Sequence, residues 1–179
     1  MILCRSEADA QQAYRWLQGR AKALKLTLHP DKTRIVDLRE GADGFDFLGF
    51  HLRLVKSWRY GRWYCQRWPS ARAMASIRAK VKAITAPRSR LKQPIGVLVA
   101  ELNPVLRGWG NYFRWGNSSR KFSQVDAYVR ERLALFDSKK HQKRGRRWGE
   151  VHTYGWATSL GVHRLSGTVR YAPNATATT

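Results

Sequence analysis

The sequence predicts an α+β protein: a β–α–β–β piece over about the first 55 residues, a mostly α three-helix bundle, and a basic, partly disordered C-terminal tail. Three observations carry this reading. Before residue 56, apolar residues alternate in short β-branched and aromatic runs. After residue 70 they recur at three- and four-residue steps, the period of an amphipathic helix. Charge divides the chain as well: residues 1–46 carry a net +1, and the remaining 133 carry +21 of the total +22.

Taken in order, Ile2, Leu3 and Cys4 read as the end of a strand. Ser6 is placed to cap a helix, with Glu7 and Asp9 in the first turn where negative charge suits the helix dipole. Ala10, Ala13, Leu17, Ala21 and Leu24 form its apolar stripe, to about Lys25. His29-Pro-Asp-Lys32 reads as a turn, and the alternating Thr33–Leu38 as a strand. A loop follows to Gly44, and Phe45–Val55 resumes a strand whose alternation slips near Gly49, where a bulge or bend is expected. Trp58-Arg-Tyr-Gly-Arg-Trp-Tyr64 reads as a hairpin turning at Gly61, with aromatics and arginines interleaved.

Trp68-Pro-Ser70 ends that hairpin and caps a helix over 71–86, whose buried stripe is Met74, Ile77, Val81 and Ile84. Pro87 stops it, and Pro94 opens the next helix at a position where proline is tolerated. That second helix holds the densest stretch of the chain, Leu102–Gly116, with Leu98, Leu102, Leu106, Trp109 and Phe113 inward. Asn103-Pro104 is expected to interrupt it. Gly108 and Gly110 thin its surface around Trp109, so that another backbone could approach closely. A third helix is expected from about Phe122 to His141, with Phe122, Val125, Val129, Leu133 and Phe136 inward. Three amphipathic helices with short links make a small bundle. The basic tract Lys139–Arg147 follows, then short apolar pieces with many glycines, then a polar tail from Pro173 expected to be disordered.

Charge of this size opposes compaction unless a polyanion neutralises it, so nucleic acid is the expected partner. No acidic residue occurs between Asp46 and Glu101. A membrane surface is not expected, because there is no long apolar run, signal-like N-terminus or lipidation motif. The two cysteines, Cys4 and Cys65, suggest no disulfide framework or zinc spacing. They are expected to be small apolar fillers in a reduced, cytoplasmic protein.

Four passages carry a resemblance to one family. Leu24-Lys-Leu-Thr-Leu-His-Pro-Asp-Lys-Thr-Arg-Ile-Val36, Gly44-Phe-Asp-Phe-Leu-Gly-Phe50, Leu102-Asn-Pro-Val-Leu-Arg-Gly-Trp-Gly-Asn-Tyr-Phe113 and Asp126-x-Tyr-Val-Arg-x-Arg-Leu133 stand in the order and spacing of the C-terminal part of a group II intron-encoded reverse transcriptase/maturase. The chain resembles the last palm elements and the maturase-specific thumb of that family. The resemblance implies a palm remnant over 1–57, a helical thumb over 58–147 and a C-terminal extension over 148–179.

It also implies site residues. Lys32 would approach the phosphates of an incoming nucleotide in a complete enzyme, and Phe47, Leu48, Gly49 and Phe50 would help grip the primer strand. Residue chemistry supplies the rest of the candidate nucleic-acid surface. Arg72, Arg78, Lys80 and Lys82 surround the first bundle helix. Arg107, Tyr112 and Arg114 fall off the apolar stripe of the second, where arginine can pair two phosphate oxygens and tyrosine can stack on an unpaired base. Arg120 and Lys121 precede the third helix. Lys139, Lys140, Lys143, Arg144, Arg146 and Arg147 form a tract able to bind almost any polyanion.

The family's Tyr-Ala-Asp-Asp, which supplies metal-binding aspartates, would lie just before Met1, and the fingers and most of the palm are absent. Nucleotidyl transfer needs carboxylates holding two metal ions about 4 Å apart. Asp43 and Asp46 do not form such a pair, so no catalytic residue, no metal site and no cofactor is expected in this chain, with Mg²⁺ belonging only to the complete polymerase. The expected function is binding of structured intron RNA to assist its folding and splicing. The alternatives are the C-terminal part of an RNA-directed DNA polymerase, active only with an N-terminal reverse-transcriptase chain, and an inactive truncation product. Intron RNA is the expected partner, with a DNA target as a further one.

Overall fold

The computed structural model describes residues 2–31, 33–38, 44–143 and 151–171. They fall into two compact units, one within Met1–Phe45 and Arg53–Tyr64, the other within Asp46–Leu52 and Cys65–Thr179.

The first unit holds helix α1, Glu7–Ala23. The Ser6 hydroxyl accepts from the Asp9 N–H at 3.1 Å and starts it. Only Ala21 of this helix is buried. Trp16 stays largely exposed, with the Arg20 guanidinium 5.4 Å from its ring centroid. Neither Ile2–Cys4 nor Thr33–Leu38 is a strand. Alternation yields a strand only where a neighbour receives its N–H and C=O groups, and the described residues offer those two runs no such ladder. The expected β–α–β–β order is therefore replaced by one helix followed by three strands.

Those strands are β1, Phe45–Phe47, β2, Phe50–Lys56, and β3, Trp63–Pro69, in the sheet order β1-β2-β3. The slip in alternation at Gly49 is a chain reversal, not a bulge. Leu48 (φ 48°) and Gly49 (φ 79°) both lie in the left-handed region, which makes the two-residue turn that suits strand twist. Cys4 and Cys65 are both exposed, so neither fills a core.

The second unit contains the bundle. Helices α2, Ala71–Thr85, α3, Ile95–Phe113, and α4, Ser119–Lys140, follow the apolar stripes read from the sequence. Ile77, Val81, Leu98, Leu102, Leu106, Phe122, Val125, Val129 and Leu133 are completely or almost completely buried. Helix α3 runs unbroken through Pro104, contrary to the expected interruption. Leu102 and Leu106 anchor it on both sides of the proline. The carbonyl that loses its donor belongs to the exposed Ala100, where water can satisfy it. A 3-10 turn, Arg88–Lys92, joins α2 to α3. Arg90 fixes that turn through a two-pronged bond to Glu101 at 2.8 and 3.0 Å.

The stretch 151–171 is woven into the same core. Leu165 is fully buried in it. The Asp126 carboxylate accepts from the N–H groups of Leu165 and Ser166 at 2.9 and 2.8 Å, and from the Ser166 hydroxyl at 2.6 Å. Asn103 donates to the Gly161 carbonyl at 2.9 Å and accepts from the His163 N–H at 2.7 Å. A short helix α5, Tyr154–Ser159, lies between His152, bonded to Asp137 at 3.0 Å, and this clamp. The chain then pairs Arg170 with Trp115 in a parallel bridge. The tail from Pro173 lies outside the described residues.

Candidate nucleic-acid interface

Ser70 starts α2 by accepting from the Ala73 N–H at 3.2 Å. Once Met74, Ile77, Val81 and Thr85 turn inward, the helical period sends Arg72, Lys80 and Lys82 to solvent, and they are exposed. Arg78 is exposed too, its guanidinium 5.8 Å from the Tyr128 ring centroid. Arg72 sits in the first turn, where a cation opposes the helix dipole. The placement is unhelpful to the helix and favourable to an anion met from outside.

Four carboxylates of the unit are engaged away from these charges. Glu101 is held by Arg90, Asp126 by backbone N–H groups, Asp137 by His152 and Asp46 by His51 at 2.7 Å. Their engagement also bears on metal chemistry. Among the described residues no three His, Cys, Asp or Glu side chains gather as a ligand set. These four carboxylates sit in structural bonds.

At the end of α3 the expected residues divide. Tyr112 is half exposed, but its hydroxyl donates to the Leu48 carbonyl at 2.8 Å and its ring packs on Phe50 and Phe113. The turn Phe47-Leu48-Gly49-Phe50 thus docks on α3, with Phe50 edge-on to Phe113 at 4.8 Å. A Cβ on Gly49 would come within 3.3 Å of the Phe113 ring. Trp109 packs against Phe113 and Phe122. Arg107 is exposed. Arg114 lies over the Trp115 ring at 5.6 Å and donates to Asn111 at 3.4 Å.

Arg114 also lines an open cleft of about 370 Å³ with Asn111, His163, Thr168 and Arg170. Gly110 lines the cleft too, and Leu165 packs against it so closely that a Cβ there would meet the Leu165 Cδ2 at 2.5 Å. Its lining from 163 to 170 was missed by sequence reasoning. The available signal was Gly110, a thin spot whose partner backbone was not assigned. Burial first, then the nearby Arg107, lowers the His163 pKa below 6.5, while Asp126 opposes the shift. Below pH 6.5 the unfolded chain therefore takes up this proton more readily than the folded one. The His163 contribution to stability is full above that pH and falls as the pH drops through it. His163→Gln should reduce the loss of urea stability between about pH 7.5 and pH 5; an unchanged loss would contradict this assignment.

The remaining cations differ in role. Lys140 donates to the carbonyls of Leu91 and Gln93 at 3.2 and 2.6 Å, tying α4 to the 3-10 turn, so it is a structural cation. Lys139 and Lys143 are exposed at the end of α4, Arg120 is exposed near its start, and Lys121 is half-buried. Lys32, Arg144, Arg146 and Arg147 lie outside the described residues.

No helix among the described residues is long and apolar enough to cross a membrane. A comparison with curated proteins gives no match. Residues 74–155, which span most of α2, all of α3 and α4 and the start of α5, match the family model of the group II intron maturase-specific domain.

Proposed function

We propose that this chain binds structured group II intron RNA and assists its folding and splicing. The observation that carries the reading is a basic face on α2, a helix without a single acidic residue, within a bundle whose sequence matches the maturase-specific domain. Phosphates would dock on Arg72, Arg78, Lys80 and Lys82, with Arg107 and Arg114 extending the surface from α3. Displacing condensed counterions from RNA supplies most of the affinity, and shape complementarity supplies the choice of RNA. A DNA target and an N-terminal reverse-transcriptase chain are further partners this reading admits. The exposed thiols of Cys4 and Cys65 suit a reducing, cytoplasmic setting.

The test is selectivity. At physiological salt the chain should bind a group II intron domain more tightly than unrelated RNA of equal length. Equal affinities would reduce it to a polycation and contradict the proposal.

A further inference from the structure

The tip between β2 and β3 is a closely bonded loop that carries several aromatic rings. The Ser57 N–H donates to the Arg62 carbonyl and the Gly61 N–H to the Ser57 carbonyl, each at 2.8 Å. The Tyr60 N–H donates to the Ser57 hydroxyl at 3.2 Å. Gly61, at φ 63°, permits the reversal. These bonds fix a loop that holds Trp58 96% and Tyr60 71% exposed, with Trp63 and Tyr64 about two-fifths exposed behind them.

Cations alternate with the rings. The Lys56 ammonium lies 6.0 Å from the Trp63 centroid and the Arg59 guanidinium 5.5 Å from the Tyr60 centroid. Arg62 is exposed on the same tip. A tryptophan this exposed is uncommon on a folded surface, and a cluster of such rings marks an interaction site. An apolar protein partner would have to bury Arg59 and Arg62 as well. A nucleic acid meets both needs, because base faces stack on aromatic rings and guanidinium planes while phosphates pair with the charges. A duplex hides its base faces, so this chemistry selects unpaired nucleotides.

We propose that the 57–64 hairpin is a stacking site for unpaired RNA bases, with Trp58 and Tyr60 as platforms and Lys56, Arg59 and Arg62 on the flanking phosphates. It rests on the RNA-binding reading but uses residues separate from the α2 face.

The experiment compares a labelled single-stranded RNA of about 12 nucleotides with a blunt RNA duplex of the same length. Both are bound to the full chain and to its Trp58→Ala and Tyr60→Ala variants. Each substitution should weaken single-strand binding about tenfold and leave duplex binding unchanged. Trp58→Phe, which keeps an aromatic face, should restore most of the affinity. Unchanged binding of both RNAs, or equal weakening of both, overturns this site while leaving the α2 reading standing. Failure of the wild-type chain to bind either RNA contradicts both.

Discussion

Replacing Leu165 with alanine is expected to lower the unfolding free energy by about 3 kcal/mol, the usual scale for emptying a fully buried leucine site. Leu165 has no exposed surface, and it reaches the bundle from the glycine-rich stretch beyond the three helical stripes, expected only as a C-terminal extension. It fits because Gly110 offers no Cβ on the facing side of α3. Gly110→Ala should accordingly destabilise by about 1–3 kcal/mol through overpacking. The two substitutions should couple, because the methyl group added at 110 enters space that Leu165→Ala vacates. Urea unfolding of the two single variants and the double variant measures this directly. If residues 151–171 were a loose extension, neither single substitution would move the midpoint.

Much of the bundle was legible because burial there follows helical period. Met74, Ile77 and Val81, and Phe122 through Leu133, were readable as stripes, and the structure buries them. The errors arose where local signals depend on distant partners. Thr33–Leu38 alternates like a strand, but the described residues give it no neighbour to pair with. Pro104 breaks a helix in isolation, yet burial of Leu102 and Leu106 on each side keeps α3 whole. Leu48-Gly49 carries the sequence mark of an irregular strand, and only the backbone angles show a reversal. The greatest gap was the clamp of Asp126 and Asn103 on residues 161–166. Its bonds span about forty to sixty positions, and neither residue announces in sequence that its side chain will hold a backbone.

The candidate site was legible as charge and illegible as role. The absence of acids from Asp46 to Glu101 pointed to α2, and the structure leaves the basic residues of α2 exposed. Lys140 and Tyr112 were indistinguishable in sequence from their neighbours. Only carbonyls brought close by folding make one a strut and the other a latch.

Arg72, Arg78, Lys80 and Lys82 should together supply a large part of the salt-dependent affinity. All four are exposed, so changing them to glutamine should alter stability by no more than about 0.5 kcal/mol each. Each phosphate left without its cation takes roughly 0.7 from the slope of log affinity against log salt on single-stranded RNA, and somewhat more on a duplex. Neutralising all four side chains should therefore flatten the slope by about 3.

The α2 interface is tested by a salt titration of intron RNA binding by this fourfold variant beside the wild-type chain, with urea midpoints taken on both. The slope is expected to be shallower by about 3, with an essentially unchanged midpoint. An unchanged slope on a folded variant would place the RNA elsewhere and contradict the α2 interface.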